Sequence, residues 1–405
     1  MSSRWKYIVG SVSTCLAVFL LIGSLLGQSA PTQEDTLKHI GVFADVVAHI
    51  KSDYVEEPDM KNVALGALNG MLEAIDPFAS YLNADQYKDY LKNKDVQKAG
   101  LGLAISKRFG YIGVVSALPG SPAAKAGFLP DDMIESIKGI STRDMPLAYA
   151  NMLLQGDPGS ELELSVVRRR APEPQTVKLI RVNLPAPQVE STMLGTDVGY
   201  INIDALGAAQ VGQTTDAIHK LERNGAKKLI LDLRGCATGA PDDGVALANL
   251  FLDKGLITYF QGQRVPRQNI DADPAKAVTA LPLAVLIDRG TASGAEVAAA
   301  ALIDNKRAQG LGERTYGDAG QRKAIEMEDG GAIILSVAKY YSPAGQSIQD
   351  NGVAPGTLVA GPEVQVEYNE NDEPIPQPTA PISEQKKTTD DPAVKKAMEA
   401  LASKA

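Results

Sequence analysis

Near the start of the chain, apolar residues recur every three to four positions: Leu37, Ile40, Phe43, Val47 and Ile50, then Leu65, Leu68, Met71, Leu72 and Ile75. That spacing lines one face of an α-helix. Asp76-Pro77 stops the second helix, and Tyr87, Tyr90 and Leu91 predict a short third one. Residues 34–93 are therefore expected to form a helical region that packs on another domain or on another chain, giving a possible homo-oligomer. From 96 to 183 the pattern shortens. Apolar pieces at 101–105, 111–115, 133–137, 162–167 and 177–182 are separated by turn signals such as Lys138-Gly139 and Asp157-Pro158-Gly159. This predicts a compact β-rich module. It has one short helix, capped by Ser121, started by Pro122 and ended by Gly127, and a second helix at 146–154.

Beyond 184 the period changes again. A strand around Tyr200, Ile201 and Ile203 precedes a helix at 208–223. The continuous apolar runs 229–233 and 283–287 read as buried strands, each leading to a helix, at 243–252 and 293–304. A hairpin at 323–337 turns at Asp329-Gly330. The order predicts a mixed sheet with crossover helices over 184–365. Residues 366–390, rich in Pro, Glu, Asp, Gln and Thr, read as a disordered linker, and 391–405 as a closing helix. The fold class expected is α+β multidomain.

Residues 1–30 have a different character. Arg4 and Lys6 precede a charge-free run from 7 to 26, and Gly27-Gln28-Ser29-Ala30 loosely matches a small-residue cleavage site. The run is long enough to span a bilayer. It is read as a signal or membrane anchor that places the rest of the chain outside the cytoplasm, in a bacterial envelope.

Charge and cysteine content remove several function classes. A net charge of −9 and the lack of a basic, aromatic-interleaved run argue against nucleic-acid binding. Cys15 lies in the apolar run and cannot partner Cys236, and His39, His49 and His219 have no metal-ligand spacing. No cofactor or metal is expected.

Two loops can carry chemistry: 234–239 (Arg-Gly-Cys-Ala-Thr-Gly) and 289–296 (Arg-Gly-Thr-Ala-Ser-Gly-Ala-Glu). Both follow the carboxyl ends of buried strands, where open α/β sheets place their sites. Ser293 opens a helix, whose unpaired N–H groups suit a developing oxyanion. It can be a nucleophile. It also stands at capping-box spacing from Glu296 and can simply cap the helix. The residues alone leave both open. Cys236 reads as a buried thiol, since nothing nearby activates it.

Several ordered motifs carry a family resemblance. Gly100-Leu101-Gly102-Leu103, then 121–127, then Pro130-Asp131-Asp132 resemble a PDZ domain of the bacterial protease type. The loop 231–239, the turn 290–296, the segment 312–317 and the segment 340–348 resemble the core of the carboxy-terminal (tail-processing) serine peptidases. The resemblance implies a serine-type endopeptidase that captures exposed carboxyl-terminal tails of proteins or peptides by adding them as a strand at a sheet edge. Gly100, Leu101, Gly102 and Leu103 would offer N–H groups to the tail carboxylate. It also implies Ser293 as nucleophile, with Gly239 and Gly294 N–H as oxyanion donors.

The departures from that family are chemical. Its general base is a lysine, but Asp318 stands at that position, and Arg322 stands where a glutamine would orient the lysine. A carboxylate with an ordinary pKa near 3.9 is poorly matched to take a serine proton at pH 7. Lys323 is too far along the chain to substitute. Asp318 and Arg322 are expected to pair. The reading is an endopeptidase with weak activity, or a degenerate relative that only binds tails.

Overall fold

A computed structural model describes residues 33–94, 98–108, 110–143, 145–168, 171–360 and 390–402. The expected signal or anchor (1–30) and most of the expected linker (366–389) lie outside the described residues. The chain divides into two units, 1–65 and 66–405. In the first, α1 (Gln33–Asp53) is followed by the start of α2 (Met60–Glu73). Of the predicted apolar stripe of α1, Ile40 and Phe43 are exposed and Val47 and Ile50 half-buried.

The second unit holds everything else. After α2, a three-residue strand β1 (Ser80–Leu82) and α3 (Ala84–Asn93) complete the segment read as wholly helical. Asn83 caps α3 through the Gln86 N–H at 3.0 Å, and Gln86 returns the bond to Asn83 N–H. The strand is a correction. β1 is too short to leave a period-two signal, and its partner lies about 250 positions away, with Ser80 opposite Ile334.

The β-rich module is as expected in kind. It comprises β2 (Leu103–Arg108), β3 (Tyr111–Ala117), α4 (Pro122–Lys125), β4 (Met133–Ile137), β5 (Ile140–Ser141), α5 (Leu147–Leu154), β6 (Glu161–Arg168) and β7 (Ala171–Ile180). The sheet runs β2-β3-β4-β6-β7, with β5 beside β4, so β2 and β7 are edges. Ile112, Phe128, Ile134, Leu162 and Leu164 are fully buried and form its core.

The remaining chain builds the predicted mixed sheet with crossover helices and, beside it, a second sheet that takes up the predicted hairpin. The first contains β8 (Glu190–Leu194), β9 (Val198–Asn202), β10 (Lys228–Asp232), β13 (Leu283–Ile287), β14 (Ala308–Gly312) and β17 (Thr357–Leu358), in the order β17-β14-β13-β10-β9-β8. All neighbours are parallel except β8, which runs antiparallel to β9. Both faces are covered, which explains the unbroken apolar runs. Leu229, Leu231, Leu283, Val285 and Ile287 point to the side of α6 (Ala208–Arg223), α7 (Pro241–Asn249) and α8 (Gly294–Asp304). Ile230, Ala284 and Leu286 face α9 (Pro392–Ala402), which buries Ala393, Val394, Ala397 and Leu401.

The second sheet is antiparallel. It orders β1-β16-β11-β12, with β15 also on β16, from β11 (Leu256–Gln261), β12 (Gln268–Asp271), β15 (Gly320–Glu326) and β16 (Ala332–Tyr341). The β15–β16 hairpin turns at Asp329-Gly330 as predicted, with Gly330 at φ 80°. Its strands extend past the predicted ends, and β11 and β12 were not foreseen.

Candidate active site

Ser293 follows β13 in a turn built by side chains. Asp288 accepts the N–H of Gly235 at 2.8 Å and of Gly290 at 3.0 Å, and the Thr291 hydroxyl donates to Leu233 O at 2.9 Å. These bonds stitch the two loops together at the ends of β10 and β13. Ser293 itself sits at φ 58° and ψ −125°. A non-glycine residue there costs on the order of 1–3 kcal/mol and persists only where the surroundings impose it. The following glycine is required sterically, because a Cβ on Gly294 would lie 2.4 Å from Ala240 O.

The cap reading and the nucleophile reading part here. Ser293 N–H donates to Glu296 at 3.0 Å, which makes one half of the box. The Ser293 hydroxyl, however, donates to the carbonyl of Gly239 at 2.8 Å. Gly294 N–H points at the same carbonyl, at 3.3 Å. Ser293, Gly239 and Gly294 are thus brought together, but the Gly239 carbonyl, rather than its N–H, faces the serine.

Glu296 has a second task that its spacing does not reveal. It is fully buried and accepts from the Thr315 hydroxyl, Gly317 N–H at 2.7 Å and Asp318 N–H at 2.8 Å. The same carboxylate oxygen takes the N–H of Ser293 and of Asp318, so the Asp318 backbone is held beside the serine turn. Burial pushes the Glu296 carboxyl up to about 7, against the pull of these hydrogen bonds. The one available signal was that Glu296 is the only acid in α8 before its last residue, Asp304.

The Asp318 side chain makes an ion pair with Arg322. The Arg322 guanidinium also lies 4.3 Å from the centre of the Phe78 ring, which meets Tyr316 edge-on at 6.4 Å. Lys323 is exposed on β15. His49 and His219 are exposed too, and among the described residues no group of side chains could hold a metal ion. Cys236 is buried in the core.

The four glycine-loop residues stand at the head of β2. Gly102 has φ 77°, and a Cβ there would lie 2.3 Å from Ser121 Cβ, so the loop closes against the α4 turn. Gly100 N–H is taken by Val182 O at 3.0 Å, and Ala123 N–H donates to Leu101 O at 3.1 Å. Ser121 caps α4 through Ala124 N–H at 3.1 Å, as expected. Along β2, the half-buried Leu103 and Ile105 share the core with Tyr149 and Leu153 of α5. β2 is thus an open strand edge with apolar side chains of α5 beside it.

The PDZ-like module touches both candidate loops. Ser116 hydroxyl donates to Gly235 O at 2.8 Å, and Arg289 pairs with Asp131 at 3.4 Å and Glu313 at 3.1 Å. A cleft of about 310 Å³ lies between them, bounded by Phe78, Val114, Asp131, Arg289, Tyr316 and Asp350.

Comparison with known proteins gives the same two parts. Residues 197–359 match the model of peptidase family S41, and residues 113–168 match that of the PDZ domain. The chain is 32% identical over 351 residues to the carboxy-terminal processing protease CtpA of Bacillus subtilis, covering 86% of this chain and 74% of that protein. It is 31% identical over 348 residues to the carboxy-terminal-processing protease of Bartonella bacilliformis, covering 84% and 79%. Among solved structures, the photosystem II D1 C-terminal processing protease superposes with a TM-score of 0.67 at 26% identity, over 85% of this chain and 92% of that one.

Proposed function

The chain belongs to the carboxy-terminal processing proteases of peptidase family S41, and from that premise we propose that it captures exposed carboxyl-terminal tails in its PDZ groove and hydrolyses them only weakly at Ser293. One feature carries the weakness: where the resemblance places the family's base lysine this chain has Asp318, and its side chain is in an ion pair with Arg322. Losing a general base costs about 10²–10⁴ in rate. The pair leaves no amine there to take the serine proton, and it adds an acid beside the place where negative charge would form.

A second reading, a tail-binding regulator that no longer cleaves, is favoured by the Gly239 carbonyl that receives the Ser293 hydroxyl. In either case the apolar run at 7–26 supports an exported, envelope-facing protein held by a membrane anchor or released after signal cleavage. The exposed apolar residues of α1 support association between copies.

The experiment is to replace Asp318 by Lys together with Arg322 by Gln, and to follow cleavage of an unfolded protein. The unmodified protein should cleave slowly or not at all. The double variant should gain activity that disappears when Ser293→Ala is added. Robust Ser293-dependent cleavage by the unmodified protein would sink the reading, because another group would then be acting as base.

A further inference from the structure

The peptide unit joining Gly239 to Ala240 is gripped from both sides. Its carbonyl oxygen receives the Ser293 hydroxyl at 2.8 Å and Gly294 N–H at 3.3 Å. Its N–H, on Ala240, donates to the Asp243 carboxylate at 3.0 Å. Gly239 is at φ 105°, a region open to glycine, and a Cβ there would lie 2.7 Å from Leu206 O. Ala240 stays in extended backbone at φ −69° and ψ 155°.

This arrangement matters for acyl transfer. An oxyanion needs N–H donors aimed at it. Here a carbonyl oxygen, itself partially negative, occupies the space in front of Ser293 and consumes the Gly294 donor. It also holds the serine proton without being able to accept it as a base would. The peptide must turn before an oxyanion can be received, and that turn breaks the Ala240–Asp243 bond.

We propose that Asp243 is a positioning residue that sets the state of the oxyanion site: by holding Ala240 N–H, it keeps the Gly239 carbonyl seated against Ser293 and Gly294. The proposal rests on the family reading of Ser293 as nucleophile and Gly294 as oxyanion donor. It adds a block distinct from the missing base. The base is absent by composition, whereas the carbonyl is placed by one carboxylate. Asp243 also stands in the first turn of α7, where an acid helps cap the helix. The first turn of α7 also packs on Gly294, since a Cβ on Gly244 would lie 1.9 Å from Gly294 O. A lost cap would therefore loosen the α7 amides along with Gly294, whereas the proposal requires faster exchange at Gly294 with α7 beyond its first turn unchanged.

The test compares Asp243→Ala with Asp243→Asn, which keeps an acceptor oxygen. In the full-length protein, hydrogen–deuterium exchange is resolved to the Gly294 amide. Asp243→Ala should speed exchange at Gly294 about tenfold or more, because its acceptor has been freed to leave, and Asp243→Asn should stay near the parent. Both variants are then placed in the Asp318→Lys, Arg322→Gln background. One blocked oxyanion donor is worth about 10²–10³ in kcat. Asp243→Ala should therefore raise kcat at least about tenfold with KM little changed, and Asp243→Asn should not.

Unchanged exchange at Gly294 overturns the proposal whatever the activity. Faster exchange with no gain in kcat overturns its catalytic half. Tail binding by the PDZ groove, measured on the same variants, should be unaffected. Its loss in the unmodified protein would count against the family function and not against Asp243.

Discussion

At the scale of single residues, the site is organised by one buried acid. Glu296 joins the serine turn to the loop carrying Asp318, through four donors on two oxygens. Its folded pKa, pushed by burial from an ordinary 4.5 up to about 7, fixes the sign of its pH dependence. The native state binds this proton more tightly than the unfolded chain does. The contribution is therefore fully present below about 4.5 and is lost as pH rises to about 7. Glu296→Gln should flatten that slope in the difference between the two proteins, measured by denaturant titration from pH 4 to 8. The amide also turns an NH₂ toward backbone donors, so stability should fall by on the order of 1–3 kcal/mol. Much of this residue layer was legible. Ser293 stood out because a buried strand, small residues and a helix start met there, and the Asp318–Arg322 pairing was expected. Two things were not legible. Glu296 looked like a local cap because its other partners are about 20 positions away, and no residue identity tells which way the Gly239 carbonyl turns.

At the scale of elements, β2 is the strand proposed to meet a partner. It is an edge strand, headed by a glycine loop and flanked by an apolar helix face. Its edge has room for one more strand, and on the proposed reading the loop would favour a strand that ends there, through N–H groups other than that of Gly100, which Val182 O already takes. Peptides with a free carboxylate and apolar last residues should bind more tightly than their amidated forms, as read by titration calorimetry. Equal affinities would exclude carboxylate capture. Gly102→Ala should remove that preference, because the new Cβ meets Ser121 at 2.3 Å and the backbone is at positive φ. The expected loss of stability is on the order of 1–3 kcal/mol. The module was readable from order and spacing, since its turns carry their own residue signals. The strands β1 and β11 were not, because their pairing depends on partners far along the chain, β1 on Ile334 and β11 on Tyr340 and Tyr341, and β12 pairs only with its sequence neighbour β11.

At the scale of the whole described molecule, the last helix is structural. Asp391 caps α9 by accepting Ala393 N–H at 2.8 Å, and its other oxygen pairs with Arg234 at 2.8 Å. Arg234 also holds Asp232 at 2.6 Å and introduces the loop that ends at Gly239. The sheet face under α9 is covered by residues contributed from beyond 390, so the domain read as 184–365 is completed only by the chain's end. Asp391→Ala removes one partner of a buried cation and a helix cap together. It should cost about 3 kcal/mol in a denaturant melt, near the lower end of what breaking a buried pair costs. A loss under about 1 kcal/mol, the size of a cap alone, would show that Arg234 is satisfied without it. The closing helix itself was foreseen from its apolar spacing. Its place on the sheet was not, since an amphipathic helix does not name the surface it will cover.

The Asp318–Arg322 pair has an evolutionary consequence. Restoring a lysine at 318 alone would set two cations side by side, one of them already over Phe78. Restoring a glutamine at 322 alone would strand an acid next to Glu296. On the proposed reading, in which a base lysine has been lost at 318, each single reversion would pass through a less stable protein that the paired state avoids, so the loss would act as a ratchet. A double-mutant cycle on Asp318→Lys and Arg322→Gln should show it, with each single variant melting below both the parent and the double.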